Sequence, residues 1–71
     1  MRTRVECTAG YAYPERPVAF WWDERRLEVR ELRKEVRTPQ GKRFVVETGD
    51  ERLFELEYDE ETGEWQVVEV S

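Results

Sequence analysis

Apolar side chains recur at every second position over several short stretches of the chain. Val18, Phe20 and Trp22 share one parity, as do Phe44, Val46 and Thr48, and then Phe54, Leu56 and Tyr58. A period of two is what a β-strand shows when one of its faces lies on a core. Residues Glu64 to Val70 close the pattern, with Trp65 and Val67 on one side and Val68 and Val70 on the other. A short strand around Arg4 to Thr8 is expected to precede them. Turn-forming residues separate the stretches: Gly10, Pro14 and Pro17, then Thr38-Pro39-Gln40-Gly41, Gly49-Asp50, and Asp59 to Gly63. Proline presets φ in such places and glycine supplies positive φ.

Asp23 to Arg37 is the ambiguous segment. Val29, Leu32 and Val36 have helical spacing, and Asp23 could cap a helix. Charge placement decides against it. A helix would stack Glu24 on Glu28, Arg26 on Arg30, Arg30 on Lys34, Glu31 on Glu35 and Arg33 on Arg37, with no opposite-charge i,i+4 pair in return. Those contacts cost a helix about 1–2 kcal/mol in total. In a strand the signs interleave instead: Arg26, Glu28 and Arg30 alternate on one face with Leu27 and Val29 on the other. Glu31, Arg33, Glu35 and Arg37 then alternate opposite Leu32 and Val36. The parity changes between Arg30 and Glu31, as a one-residue β-bulge would cause. The expected fold is therefore all-β: one domain over residues 1–71, an antiparallel meander of five to six strands, strongly twisted into a partly open barrel. A flat single sheet would leave one face uncovered.

Trp21 and Trp22 are adjacent, so in a strand they point to opposite faces. With Trp22 on the core beside Phe20, Trp21 points outward with Ala19. Val45 and Leu53 are also apolar and off the main face of their strands. Trp21, Ala19, Val45 and Leu53 are thus the candidate interaction surface, for a protein partner or a second copy of the chain. The plainer alternative is that Gly10 to Pro17, with Tyr11 and Tyr13, folds over that second face.

Composition narrows the chemistry. In 71 residues there are 14 Glu, 10 Arg and 2 Lys, and no His, Asn or Ile. Abundant Glu and Arg with few labile amides resembles a heat-adapted protein, and an AT-poor coding sequence would leave a similar mark. The net charge of −5 is uneven: residues 1–43 carry +4 and residues 44–71 carry −9. Without His, and with the single Cys7, neither an activated nucleophile nor a zinc site is expected, so no catalytic, metal or cofactor residue is assigned. The acidic cluster Asp59, Glu60, Glu61 and Glu64 lacks the ligand spacing and central glycine of a calcium loop and reads as a solvated hairpin. No apolar run approaches a membrane span and the first residues are too charged for a signal peptide, so a cytoplasmic protein is expected.

The basic run is the one feature that suits a polyanion. Arg26, Arg30, Arg33 and Arg37 are the candidate phosphate contacts if the chain binds nucleic acid, where cations and aromatic platforms act together. Glu28, Glu31 and Glu35 interleave with them, so cross-strand ion pairing accounts for the same cations. Arg43 is placed to meet Glu55 or Glu57 in the same way.

Arg16-Pro17-Val18-Ala19-Phe20-Trp21-Trp22, followed by a polar turn, a long strand starting Arg25-Arg26-Leu27-Glu28-Val29, a Leu53-Phe54-Glu55-Leu56 strand and a final Gly63-Glu64-Trp65, resembles a small bacterial family, domain of unknown function 6504. The resemblance covers roughly residues 14–70. The turn at Asp23-Glu24 departs from it by lacking a glycine, and the Thr38–Gly41 connection looks short. The resemblance implies a β fold and no site residues. Members encoded near translesion polymerase genes would link the nucleic-acid reading to DNA repair. The residues themselves lead to a non-enzymatic interaction module, with an accessory nucleic-acid-binding protein as the alternative.

Overall fold

A computed structural model describes residues 2–7 and 16–70, and its described residues contain no helix. Seven strands occur: β1 (Arg2–Thr3), β2 (Val5–Cys7), β3 (Pro17–Trp22), β4 (Arg25–Arg37), β5 (Gly41–Thr48), β6 (Leu53–Asp59) and β7 (Glu64–Glu69). All pairings are antiparallel, in the order β1-β7-β6-β5-β4-β3-β2. Because β1 and β2 are separated only by Arg4, the order curls round on itself into a nearly closed barrel. The short strand expected around Arg4 to Thr8 is instead two strands, which brings the count to seven: the N-terminal stretch breaks at Arg4, lends β1 to β7 and β2 to β3, and the Arg4 carbonyl accepts from Trp21 N–H at 3.2 Å. Gly10, Pro14 and the expected cover formed by Tyr11 and Tyr13 lie outside the described residues.

The second turning point is β4. Arg25 to Glu28 pair with β3, whereas Val29 to Arg37 pair with β5. The barrel therefore has a larger sheet (β1-β7-β6-β5 and the end of β4) and a smaller one (the start of β4, β3 and β2), with shared strands at the corners. The expected bulge is present, since Val29 pairs with Thr48 and Glu31 with Glu47, leaving Arg30 extra. A second bulge follows at Arg33, between Leu32↔Val46 and Lys34↔Val45. It reverses the parity again. Glu35 now shares a row with the buried Phe44, while Val36 shares one with Arg43 on the outside and is 37% exposed. The expectation that Leu32 and Val36 lie on one face is corrected by this second bulge.

The interior is filled by Phe20, Phe44, Val46, Phe54, Leu56, Trp65 and Val67, with Trp22, Leu27, Val29, Leu32 and Tyr58 packed against them. These are the alternating positions of the expected strands, and each fully buried side chain contributes about 1.5–3 kcal/mol of apolar transfer. Rings meet edge-on at the centre: Phe20 and Phe54 are 5.0 Å apart between centroids, and Trp22 and Phe54 5.2 Å. Val18 has the parity of Phe20 in the sequence, but a bulge leaves it extra between Glu6↔Ala19 and Cys7↔Pro17, which corrects the expectation that it shares the core face and leaves it 37% exposed.

Turn geometry sets the registers. Asp23 and Glu24 both have positive φ, 50° and 62°, as a two-residue hairpin matching the twist of β3 and β4 requires. At Gly41 the constraint is space: a Cβ there would collide with the Tyr58 carbonyl oxygen of the neighbouring strand.

Candidate interaction surface

Outward-facing side chains on β5, β6 and β7 form a grid set by the register. One row runs Glu47, Leu53, Val70, with the Val70 N–H donating to the Leu53 carbonyl at 2.8 Å. The next runs Val45, Glu55, Val68, and a third runs Arg43, Glu57, Gln66. Directly opposed side chains on such a face lie about 4.5–5.5 Å apart between Cβ atoms, so the four apolar groups surround Glu55 as one patch. Val68 and Val70 are 51% and 50% exposed, the most exposed of the large hydrophobic residues described, and Val45 and Leu53 are half-buried beside them.

The structure divides the four residues expected to act together. Val45 and Leu53 belong to this patch. Trp21 and Ala19 lie on β3 in the smaller sheet, separated from it by β4, and Ala19 has no exposed surface. Trp21 is half-buried outside the core cluster. It is flanked by the Arg4 guanidinium at 5.8 Å from its ring, and its buried indole N–H meets no acceptor among the described residues. Val68 and Val70 are the central members that the candidate set omitted. Their parity opposite Trp65 and Val67 was the signal for them.

Ion pairs edge the patch and run across β4. The Arg43 guanidinium lies 3.0 Å from Glu57 and 3.8 Å from Glu55. Arg26 donates through two nitrogens to Glu6, at 2.8 and 3.0 Å, and also to Glu28 at 3.2 Å. The hydrogen bond from Arg26 holds the Glu6 carboxyl below its usual range. Arg33 pairs with Glu31 at 2.8 Å and with Glu47, and Arg30 reaches the same Glu47 at 3.6 Å. Arg37 is engaged as well. The four candidate phosphate contacts thus sit along one strand, and the guanidinium groups of Arg26, Arg30 and Arg33 are paired to carboxylates of the chain. Lys42 closes one end of the barrel by pairing with Glu35 at 2.8 Å.

The remaining polar features are local. The Asp59 carboxylate accepts the Glu61 and Thr62 amides at 2.9 and 3.3 Å, which fixes the acidic hairpin. Among the described residues no group of three or more His, Cys, Asp or Glu side chains is placed to share a metal ion, and no helix is long and apolar enough to cross a membrane. Burial pushes the Cys7 thiol above its ordinary pKa, away from the reactive thiolate. No family model, curated protein or solved structure matches this chain.

Proposed function

We propose that this barrel is a non-enzymatic protein-interaction module that joins a second copy of itself through the outer face of β5, β6 and β7. The supporting observation is the patch of Val45, Leu53, Val68 and Val70, because two half-exposed valines on a rigid sheet with two apolar neighbours favour cover by another surface. The Arg43–Glu57 ion pair borders the patch on one side, so the rim of each copy carries both signs. Among the described residues the interior is filled by side chains, and a chain without histidine has few means of moving a proton near neutral pH.

The ion pairs on β4 favour this reading over nucleic-acid binding. A phosphate contact at Arg26 or Arg33 would displace a carboxylate that already takes its donors. Amide chemical shifts recorded on dilution test the proposal. The resonances of residues 45, 53, 68 and 70 should move together with concentration while that of Trp21 stays fixed. Shifts centred on β3 would refute this choice of surface.

A further inference from the structure

The bulge that bends β4 also opens a cleft. β3 and β4 pair only as far as Ala19↔Glu28; beyond that point β4 turns to β5 and the two strands part. From Arg30 to Val36 one edge of β4 therefore has no strand partner among the described residues. An antiparallel ladder uses the N–H and C=O groups of alternate residues, so the intervening residues direct theirs into the gap. A cleft of about 510 Å³ lies there, between Arg16–Val18 at the start of β3 and Val29–Leu32 on β4.

We infer that this cleft binds a short, extended, acidic segment of a partner protein, which adds a strand to the edge of β4 and places an apolar side chain against Val18, Val29 and Leu32. The inference rests on the interaction-module reading and names a partner class for a second surface. Three observations support it. An edge with unpaired backbone groups is the substrate of strand addition, and adjacent pockets for alternate side chains give it selectivity. Among its polar walls the cleft offers three apolar side chains, Val18, Val29 and Leu32, of which Val18 is 37% exposed. The charge is positive: Arg16 has no carboxylate partner among the described residues, and Arg30 shares Glu47 with Arg33. The one acid lining the cleft, Glu31, is held by Arg33 at 2.8 Å.

The same features select a short segment over the β4 of a second copy. Bulges at Arg30 and Arg33, with signs alternating along the strand, interrupt the regular row of groups that a long strand needs. A segment confined to the gap beside Val29 to Leu32 meets only the bulge at Arg30.

Fluorescence anisotropy tests the inference with a labelled octapeptide of alternating glutamate and valine. Two counterparts are needed: one with lysine for glutamate, and the acidic peptide N-methylated at alternate residues so that it cannot pair. The folded protein should bind the acidic peptide and ignore the lysine one, and N-methylation should weaken binding by about tenfold or more, since strand addition draws its affinity from main-chain hydrogen bonds. Val18→Arg, inside the cleft, and Arg16→Glu, at its exposed rim, should each weaken binding by about fivefold or more through lost apolar contact and reversed charge. Val68→Arg, on the outer patch, should leave it unchanged. The inference is overturned if the folded wild-type chain fails to bind the acidic peptide, or if binding is indifferent to N-methylation and to both cleft variants. Peptide binding by a strictly monomeric protein would remove the self-association reading and keep the cleft; a dimer that ignores the peptide would do the reverse.

Discussion

Arg52 holds both carboxylate oxygens of Glu69, its Nε and a terminal nitrogen each 3.0 Å from one of them. The same guanidinium lies 5.0 Å from the centre of the buried Phe54 ring and 3.5 Å from Asp50, whose other oxygen takes the Thr48 hydroxyl. One end of the barrel is thereby capped by a charged group packed on an aromatic face, and β5, β6 and β7 are tied together beyond their ladders.

This cap and the Arg26–Glu6 pair give stability a definite pH dependence. Hydrogen bonding to Arg52 lowers the Glu69 pKa, the Thr48 hydroxyl lowers that of Asp50, and Arg26 lowers that of Glu6. A carboxyl whose folded pKa is depressed binds more protons when unfolded, so its contribution is complete above its ordinary pKa and is lost as pH falls through the folded value. The midpoint of thermal unfolding should therefore be level from neutral pH to just above 4.5, the ordinary glutamate value, and fall below it. Arg52→Gln should lower the midpoint at pH 7 and make the acid limb shallower. A limb of equal steepness in the variant would remove Glu69 and Asp50 from this account.

The hairpin between β3 and β4 stores strain that one substitution should release. Glu24 sits at φ 62° without the glycine that this turn favours. A left-handed conformation costs a residue with a Cβ about 1–2 kcal/mol. Glu24→Gly should raise stability by about 1 kcal/mol, after the added flexibility of the unfolded chain is subtracted. In a domain of this size that corresponds to roughly 4–8 °C in thermal midpoint. An unchanged or lower midpoint would mean that the turn relaxes in solution.

Much of the fold was legible because parity survives in the sequence. The alternation of Phe44, Val46 and Thr48, and of Phe54 and Leu56, reappears as buried positions with Tyr58 partly buried against them, and interleaved charges identified β4 as a strand. The first bulge showed as a change of parity at Arg30. The second was hidden because Arg33 and Lys34 carry the same charge, so making Arg33 the extra residue leaves no trace in the pattern of signs. The break at Arg4 was equally silent, since it depends on two distant strands, β7 and β3, each taking part of a stretch of six residues. Parity likewise put Trp21, Ala19, Val45 and Leu53 outside without saying which sheet each would occupy. Curvature decides that, and it separates Trp21 from Val45.

Nucleic acid should bind poorly. With Arg26, Arg30 and Arg33 paired to carboxylates, labelled single- and double-stranded DNA should show no measurable anisotropy change at about 0.15 M salt and only weak binding at low salt. Several true phosphate contacts would instead give a clear affinity that falls steeply as salt rises. A micromolar complex at physiological salt that Arg33→Glu weakens and Val68→Arg does not would replace the interaction-module reading with the nucleic-acid one.

Sedimentation velocity over a concentration series is the most direct test of the central claim, that the outer patch of β5, β6 and β7 joins two copies of the chain. Val68 and Val70 are half exposed, so arginine at either position is compatible with the barrel and incompatible with a dry interface. The wild-type protein should pass from monomer to dimer as concentration rises. Val68→Arg should remain monomeric with unchanged circular dichroism, and Trp21→Ser should dimerise as the wild type does. A wild-type chain that is monomeric throughout the series, or a dimer lost in Trp21→Ser and kept in Val68→Arg, would contradict it.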